Sequence, residues 1–359
     1  MGRCIYIFTN SYKPNLGGIQ TVTSQVAETL HALGENVVVV TKFCRKGLAP
    51  YSRICGVPVF RFAFEYFAVY PLLMLLFFFE KPKVVYVHFP QEQAKFVYKL
   101  HKLFDFKLVT CFHGHDVLMY EEGYDRNNEL YKYKNLLVHA SDAVTACSGF
   151  LAKKVESIFS CNGVIPVFNG VDLSRFEKDV KKTQGVHSPY IFAFGRLERI
   201  KGYEMLIEAF SNANLPKDWQ LIIAGEGSLR QQLQEQISRL KMDNRIHLIG
   251  RKSPDDIVSF SKYAEINIIP SFREPFGIVA LEAIAAKRPV IATNAGGLPE
   301  VADKRFCLLC EPSVSSVRYS IENVANGRYR FSYNEVEEYL KEFSIDRMVD
   351  NYIKASHKE

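Results

Sequence analysis

Two glutamates, Glu274 and Glu282, lie eight positions apart in the stretch SFREPFGIVALEAIAA, residues 271–286. The Pro-Phe-Gly turn between them and the Ala-rich segment after it predict a helix that begins near Phe276-Gly277. The first turn of a helix has N–H groups without intrahelical partners and the positive end of the helix dipole, so it attracts anions. The sequence therefore places one carboxylate on each side of a predicted anion site.

The two glutamates are expected to contact different parts of one ligand. A carboxylate that pointed into the anion site would repel a phosphate, so we expect Glu274 to point past it, toward hydroxyls or a developing positive charge. Glu282 lies one to two turns into the helix, where side chains lean back toward the N-terminus, and it can accept from a ribose diol. The alternative is that both are solvated surface side chains.

Arg196 and Lys201 follow a predicted strand, 190–195, in the stretch FGRLERIKG. Ligands of open α/β sheets bind beyond the carboxyl ends of the strands. Arg196 and Lys201 at that place would bind a diphosphate and stabilise it as a leaving group.

A glycine pair, Gly17-Gly18, lies between the first predicted strand and the first predicted helix. This resembles a phosphate-contact loop. The chain contains neither the dinucleotide fingerprint G-x-G-x-x-G with its downstream acid nor a G-x-x-x-x-G-K-[ST] loop. Hydride transfer and P-loop chemistry are therefore disfavoured.

The stretch CFHGHDV, residues 111–117, offers His113, His115 and Asp116 at the end of a predicted strand. These residue types can bind metals, but Gly114 ends the strand, and no Asp-x-Asp occurs in the chain. We expect no metal. One imidazole should reach the ligand as a hydrogen-bonding or polarising group, and the others should cap local backbone.

Length and composition indicate an ordinary globular protein of about two domains. The chain has 359 residues, 48% hydrophobic and 23% charged, and its start lacks the long apolar stretch of a signal peptide. Its eight cysteines are scattered apart from Cys307 and Cys310, for which we expect a buried strand rather than a zinc or redox site. Reduced thiols fit a cytoplasmic protein.

Predicted strands alternate with predicted helices, and the pattern restarts after residue 187. Such alternation is typical of doubly wound parallel sheets. The boundary falls near 167–176, where Asn169-Gly170 marks a turn. We expect two α/β domains facing across a cleft, over the ranges 1–169 and 170–334. The predicted strands are 4–10, 36–41, 83–88, 107–113, 143–148, 190–195, 219–225, 245–250, 266–271, 289–294 and 307–312.

One segment, YFAVYPLLMLLFFF at 66–79, carries no charge over 14 residues. It is too short to span a membrane and contains Pro71. It is either a buried helix of the first domain or a helix lying in a membrane interface. Residues 1–169 hold 18 Lys and Arg against 13 Asp and Glu, a difference of +5 out of a total of +6. Nucleic-acid-binding motifs are missing, but an anionic membrane surface fits this excess.

Taken in order, these motifs resemble those of retaining nucleotide-sugar glycosyltransferases with the GT-B fold, similar to glycosyltransferase family 4. The resemblance covers nearly the whole chain, and the Glu-x7-Glu spacing is its most specific element. The matching stretches are Gly17-Gly18, His113-Gly114, NGVDLSRF at 169–176, GRLERIKG at 195–202, AGEG at 224–227, EPFGIVALEA at 274–283 and GGLPE at 296–300.

The resemblance implies a role for each matching residue. Glu274 would contact the donor sugar near the reacting carbon, and His113 would line the sugar pocket. Glu282 would bind the ribose, while Arg196 and Lys201 would hold the diphosphate. The backbone amides of Phe276, Gly277, Ile278 and Val279 would complete the phosphate site. The family uses no metal or cofactor, and its favoured mechanism is front-face substitution. A last helix, about 335–359, would cross back to the first domain.

We therefore expect a cytoplasmic hexosyltransferase (EC 2.4 class) that uses a nucleotide diphosphate sugar and a glycan or glycolipid acceptor. The apolar 66–79 segment is unusual for the family at that place and favours a lipid-linked acceptor and contact with the cytoplasmic face of a membrane. A nucleotide-sugar epimerase of the same fold and a non-catalytic sugar-nucleotide-binding protein are the alternatives.

Overall fold

The computed structural model describes residues 4–14, 17–43, 48–64, 69–177, 180 and 189–357. The chain divides into two compact units. The first consists of Met1–Gly170 with Phe343–Glu359, and the second of Val171–Glu342.

The first unit is built on an eight-stranded sheet. Its strands are β1 (Cys4–Thr9), β2 (Val37–Lys42), β3 (Tyr51–Ile54), β4 (Val57–Phe62), β5 (Pro82–His88), β6 (Lys107–Phe112), β7 (Ala143–Ala146) and β8 (Ile165–Pro166). They are ordered β3-β4-β2-β1-β5-β6-β7-β8. All neighbours are parallel except β3 and β4. The central strands are buried on both faces, which explains their continuous apolar sequences.

The antiparallel hairpin of β3 and β4 is absent from the sequence prediction. Its two-residue turn is Cys55-Gly56, with φ of 49° and 83°. Positive φ at both central positions is typical of a type I′ hairpin turn, and Cys is not a residue that signals one. The hairpin lies at one edge of the sheet, and β3 is the edge strand.

The helices that follow these strands in the first unit are α1 (Gly18–Ala32), α2 (Val69–Phe79), α3 (Gln93–His101), α4 (His115–Leu118), α5 (Glu129–Ala140) and α6 (Gly149–Phe159). Helices α2, α3 and α5 pack on one face of the sheet, in a core that includes Val85 and Val87 of β5. Successive side chains of a strand point to opposite faces. Tyr86 and His88 accordingly face the other way.

Helix α2 is buried along one side only. Val69, Leu73 and Phe77 are in the core, whereas Leu72, Leu75, Phe78 and Phe79 are 53–67% exposed. The buried side fits the interpretation of 66–79 as a buried helix, whereas contact of the exposed side with a membrane remains a prediction. Residues 66–68 lie outside the described residues. Within the described ranges, no helix has the length and apolarity needed to cross a membrane.

The second unit contains a six-stranded, wholly parallel sheet. Its strands are β9 (Tyr190–Phe194), β10 (Gln220–Ala224), β11 (Ile246–Leu248), β12 (Ile266–Ile269), β13 (Val290–Thr293) and β14 (Cys307–Cys310). They are ordered β11-β10-β9-β12-β13-β14. Cys307 and Cys310 are buried, free thiols of β14, as expected from their apolar context.

The helices of the second unit are α7 (Ser174–Glu177), α8 (Tyr203–Ser211), α9 (Arg230–Arg239), α10 (Pro254–Tyr263), α11 (Ile278–Ala285), α12 (Leu298–Val301), α13 (Val314–Ala325) and α14 (Val336–Lys341). The main core lies between the sheet and α8, α9 and α13, with Leu206, Leu233 and Ile321 fully buried.

The chain ends in α15 (Ile345–Ser356), which belongs to the first unit and packs against α1. Its Tyr352 lies over the second face of the first sheet, with its ring centroid 6.0 Å from that of Tyr86 and 5.2 Å from that of His88. The range 335–359 thus contains two helices, α14 and α15, separated by a short break. The two faces of the first sheet are covered by α2, α3 and α5 on one side and by α1 and α15 on the other.

Candidate active site

Two loops of the second unit meet at the carboxyl ends of β9 and β12. The loop after β9 forms a 3₁₀ turn over Arg199–Lys201. The Phe272 N–H, after β12, donates to the Ile200 carbonyl at 2.8 Å. A Cβ at Gly202, which has φ of 69°, would lie 2.0 Å from the Pro270 carbonyl oxygen, so only glycine permits this approach.

This packing brings Lys201 and Glu274 together. Lys201 Nζ lies 2.5 Å from Glu274 Oε2, and the side chains are only 15% and 12% exposed. The Ser271 hydroxyl donates to the same carboxylate oxygen at 3.3 Å. A cation and an acid that are 73 positions apart thus form one charged centre.

The Glu274 loop is also held from its other side. The Gly297 N–H donates to the Glu274 carbonyl at 2.7 Å. A Cβ at Gly296 would lie 2.2 Å from that carbonyl oxygen, so the Gly-Gly stretch allows direct backbone contact. The backbone of Glu274 is therefore fixed before the chain enters α11.

Helix α11 begins where the sequence predicts an anion site. Gly277 is its N-cap residue with φ of 119°, and none of the described side chains caps it. Phe276 is buried, and the amides of Ile278 and Val279 lie in the first turn, where helices lack internal acceptors. Glu274, the acid of the ion pair with Lys201, therefore lies only three residues before the N-cap of α11.

Arg196 differs from Lys201. Its side chain is 71% exposed and donates to Glu198 Oε1 at 2.6 Å. The structure thus gives Arg196 and Lys201, which the sequence groups together, different surroundings, since Lys201 is in a part-buried ion pair and Arg196 in an exposed one.

Glu282 lines a cavity of about 220 Å³ in the second unit. Burial raises the pKa of its carboxyl to about 7, and the nearby positive charge of Arg175 opposes that shift. The cavity is smaller than the ~300–1,000 Å³ of pockets that hold a whole drug-sized ligand, so it fits one part of a ligand. The other lining residues are Arg175, Phe176, Phe194, Lys252, Pro254, Ile257 and Val258.

One wall of this cavity is the start of α10, where the sequence Ser253-Pro254-Asp255-Asp256 is typical of a helix start. Ser253 and Asp256 form a capping box, with Pro254 in the first helical turn. Sequence reasoning missed Lys252, which belongs to no motif, and gave no role to Arg175, although Arg175 lies in the stretch NGVDLSRF at 169–176. The position of Lys252 directly before a strong N-cap is the only signal that could have found it.

In the first unit, His113 follows β6 and lies on a tightly held loop. The Asp116 carboxylate accepts from the Gly114 N–H at 2.7 Å and from the His113 N–H at 3.1 Å. Lys134 Nζ, fully buried, donates to the Asp116 carbonyl at 2.9 Å. The backbone of this loop is capped by Asp116, whereas the predicted candidate His115 is exposed.

Burial shifts the pKa values of this cluster in opposite directions. It raises that of Asp116 to about 6, an effect that Lys134 and the loop amides oppose. It lowers that of Lys134 to about 8, with Asp116 opposing the shift, and that of His113 to about 4. His113 is therefore neutral at pH 7. Among the described residues, no three His, Cys, Asp or Glu side chains are grouped as a metal site would require.

His88 is a site residue that sequence reasoning missed. It ends β5, beside β6, and its Nδ1 lies 2.9 Å from His113 Nε2. A signal was present, since a polar residue ends the apolar run KVVYVH. The run KVVYVH does not show which strand lies beside β5 in the sheet.

Gly17 and Gly18 form the start of α1 in the first unit, and both are exposed. A Cβ at Gly17 would lie 2.4 Å from the Gln20 side-chain oxygen. Residues 15–16 of the same loop lie outside the described residues. The glycines are thus placed at a helix start, as predicted, and their contact with a donor remains a prediction.

Comparisons with known proteins match both units. The model described as Glycosyltransferase Family 4 matches residues 16–175, and that described as Glycosyl transferases group 1 matches 174–338. An uncharacterized glycosyltransferase of Methanocaldococcus jannaschii is 33% identical over 49% of this chain. The match spans about half of that relative, 48% of its length.

Two further proteins extend the comparison over most of the chain. A human component of phosphatidylinositol N-acetylglucosaminyltransferase is 26% identical, over 89% of this chain and 67% of its own. The crystal structure of Anabaena HepE in complex with UDP and glucose has a TM-score of 0.73 at 19% identity, and the match covers 98% of this chain and 99% of that chain. That structural likeness establishes the fold. The chain belongs to the family 4 glycosyltransferases, enzymes of the GT-B fold, as its sequence motifs predict.

Proposed function

We propose that this enzyme moves a hexosyl-type group from a nucleotide diphosphate sugar to a sugar-containing acceptor with retention of the anomeric configuration. The observation that carries the proposal is the Lys201–Glu274 pair beside the start of α11, with Glu282 in a cavity of the same unit. In the proposed complex, Glu274 contacts the sugar, Lys201 and the start of α11 contact the diphosphate, and Glu282 contacts the ribose.

We propose a role for each of these groups. Lys201 and the first N–H groups of α11 bind diphosphate oxygens and stabilise the charge that grows on them as the bond breaks. The incoming diphosphate competes with Glu274 for Lys201. Glu274 then faces the positive charge that develops at the reacting carbon, while Glu282 accepts from the ribose hydroxyls.

The transfer step balances without a cofactor. The bond between the anomeric carbon and the diphosphate oxygen breaks, and the acceptor oxygen forms its bond on the same face of the sugar. The acceptor proton moves to the departing diphosphate oxygen. The products are a nucleoside diphosphate and a glycoside with the donor's anomeric configuration.

The experiment is a thermal-shift panel of UDP-, GDP- and ADP-sugars, followed by transfer assays with the donors that bind. The anomeric configuration of the product is then read from its NMR coupling constants. We expect retention. An inverted product contradicts the mechanism. Sugar isomerised in a reaction with donor alone supports an epimerase instead, and tight binding without turnover supports a non-catalytic binding protein.

For the acceptor, we propose a cell-surface glycan or glycolipid precursor reached at the cytoplasmic face of an anionic membrane. The outward side of α2 supports this, because a solvated helix normally presents polar residues there. Instead it presents Leu72, Leu75, Phe78 and Phe79. The human relative is named for transfer to phosphatidylinositol, which is itself a lipid.

Basic side chains lie next to Tyr70 of α2 and just beyond the ends of α2 and α3. Lys99 Nζ lies 5.8 Å from the Tyr70 ring centroid of α2. Lys102 is exposed one residue beyond α3, and Lys81 is exposed two residues beyond α2. An apolar face with lysines at its border fits an anionic bilayer better than a second protein copy. Each lysine near such a surface contributes about 1 kcal/mol.

Liposome flotation tests this contact. We expect the wild type to float with anionic vesicles at low salt and to be released at high salt. Leu72→Ser with Phe78→Ser, and separately Lys81→Glu with Lys102→Glu, should each abolish flotation. The matched controls are Leu33→Ser, after α1, and Lys354→Glu, on α15, which are exposed on the opposite face of the sheet. No flotation at low salt, or a dimer in light scattering that Phe78→Ser dissociates, contradicts the membrane proposal.

A further inference from the structure

A second cavity, of about 260 Å³, lies entirely within the first unit. Phe64 follows β4 and Gln91 follows β5, so the cavity lies at the carboxyl ends of these strands, and the first two turns of α2, α3 and α5 supply its other walls. Ligands of open α/β sheets bind at this edge. The lining residues are Phe64, Tyr70, Gln91, Glu92, Lys95, Phe96, Lys99, Glu129, Leu130 and Tyr133.

Aromatic side chains form much of the apolar lining. Phe64 and Phe96 are buried, with ring centroids 5.8 Å apart. Tyr70 and Tyr133 are partly exposed. A tyrosine presents an apolar ring together with a hydroxyl that forms hydrogen bonds. The cavity can therefore contact C–H groups and hydroxyls of one ligand.

Three neutral polar groups of the cavity are available to a ligand. Among the described residues, the hydroxyls of Tyr70 and Tyr133 and the side-chain amide of Gln91 have no hydrogen-bond partner, and none of the three is enclosed by protein. A phenol and an amide can each donate and accept. These groups thus suit a ligand with several hydroxyls.

The charges of the cavity disfavour a phosphate. Lys95 Nζ lies 2.8 Å from Glu129 Oε1, and Glu92 Oε1 lies 3.2 Å from Lys42 Nζ, at the end of β2. Glu92 is the N-cap residue of α3 and Glu129 is the first residue of α5, so both helix starts already have an acid beside them. The lining has two lysines and two glutamates and therefore no net charge. A phosphate would meet two carboxylates, whereas a neutral hydroxyl would not be repelled.

We propose that this cavity binds one sugar ring of a membrane glycolipid. A sugar ring carries C–H groups for the aromatic walls and hydroxyls that donate and accept. The cavity is smaller than the ~300–1,000 Å³ of pockets that hold a whole drug-sized ligand, so it takes one ring. The lipid is assigned from α2, which supplies Tyr70 to the cavity and exposes Leu72 and Leu75.

The inference rests on the proposed function only for the role of the glycolipid as the acceptor. Binding here holds the glycan on the first unit through a ring that need not be the one that receives the transferred sugar. The site is complete without any residue of the second unit.

The first test is saturation-transfer NMR of the full-length protein with the methyl glycosides of glucose, galactose and N-acetylglucosamine. We expect transfer to the ring protons of at least one glycoside. Gln91→Ala, and separately Tyr70→Phe with Tyr133→Phe, should weaken its binding by about threefold to tenfold for each hydrogen-bonding group removed. Tyr124→Phe is the matched control, because Tyr124 is an exposed tyrosine of the same unit outside the cavity lining.

Three results of this experiment would overturn the proposal. The first is no transfer to any of the three glycosides. The second is binding that all the cavity variants leave unchanged, since the glycoside then lies elsewhere. The third is displacement of the glycoside by inorganic phosphate that Lys95→Ala prevents, which would make the cavity an anion site.

The second test separates a lipid-linked glycan from a free one. Phosphatidylcholine vesicles are prepared with and without a diacylglycerol glycoside of the sugar that binds. At high salt, where attraction between exposed charges is screened, we expect flotation only with the glycolipid. Tyr70→Phe with Tyr133→Phe should abolish it, and Tyr124→Phe should not. Binding of the free glycoside without flotation would overturn the lipid part of the proposal.

Neither measurement needs a donor or turnover. Glycoside binding at this cavity in a protein that transfers sugar from no donor would contradict the proposed function alone. Sugar transfer by a protein whose cavity binds no glycoside would contradict this inference alone. If the tyrosine variant fails to fold, Gln91→Ala decides, because Gln91 is partly exposed and its backbone hydrogen bonds remain in the variant.

Discussion

Two ion pairs lie on or beside the loop that follows β9, and their exposure differs. Lys201 and Glu274 are 15% and 12% exposed and join two loops that are 73 positions apart. Arg196 and Glu198 are 71% and 35% exposed and lie two positions apart on one loop. The sequence places both cations in one motif, but only one of them is built into the fold.

The difference teaches what each pair can do. Exposed pairs contribute about 0–1 kcal/mol, since water and salt replace the contact easily. A part-buried pair such as Lys201–Glu274 is more shielded from water, and removal of one partner leaves a charge that water compensates less well. Lys201 and Glu274 are therefore already ordered before the donor binds, whereas Arg196 must leave Glu198 to reach a diphosphate.

The largest expected effect is that of Glu274→Gln. Removal of the carboxylate charge beside the reacting carbon should lower kcat by about 100-fold or more, while nucleotide affinity stays within a few-fold. The reason is that the proposed mechanism puts Glu274 beside the phosphate site rather than in it. Single-turnover transfer and nucleotide titration measure the two quantities separately.

Glu198→Gln is the matched control for Glu274→Gln. It makes the same chemical change in the exposed pair and should leave kcat unaltered. Wild-type turnover in a folded Glu274→Gln protein would contradict this prediction. An equal loss of kcat in both variants would show that the different exposure of Glu274 and Glu198 does not matter for catalysis.

Lys201→Ala is expected to have the next largest effect. Charge on the departing diphosphate grows in the transition state, so kcat should fall by about 10- to 100-fold, with donor KM changed far less. Steady-state kinetics with varied donor concentration make this comparison. A raised KM at unchanged kcat would mean that Lys201 binds donor and transition state equally.

Glu282→Gln tests a third carboxyl, which lines a cavity. The pKa of Glu282 is raised to about 7, above the ~4.3 of an exposed glutamate. Between these values the native protein binds more protons than the unfolded chain, so ionisation lowers stability as pH rises. The Gln variant avoids that cost.

We expect Glu282→Gln to raise the free energy of unfolding by about 1–3 kcal/mol at pH 8 and to change it little near pH 4. Donor affinity should fall at the same time, because hydrogen bonds to a charged group contribute about 1.5–3 kcal/mol. Urea denaturation at both pH values measures the stability. Glu235→Gln, on the exposed side of α9, is the control, and a gain that is equal at both pH values would exclude titration as its cause.

The part of this site that sequence predicts is the part encoded locally. The Glu274–Glu282 spacing, the start of α11 and the capping box of α10 each depend on a few adjacent residues, and so does the alternation that predicted the parallel sheets. The Lys201–Glu274 contact depends on the backbone approach at Gly202, which only the folded loops reveal. His88 meets His113 because β5 and β6 are neighbours, and strand order is a property of the whole sheet.

Arg196→Ala tests the exposed ion pair of the comparison and should have the smallest effect. The side chain is exposed and pairs with a neighbour on its own loop, so the free energy of unfolding should change by less than about 0.5 kcal/mol. We expect kcat to fall by about threefold to tenfold, since Arg196 reaches the diphosphate only by exchanging Glu198 for it.

Salt weakens long-range attraction between exposed charges, so this loss should shrink as ionic strength rises, whereas the loss in Lys201→Ala should persist. Transfer assays at low and high salt provide the measurement. Equal, salt-independent losses in both variants would mean that the donor draws Arg196 into surroundings as closed as those of Lys201.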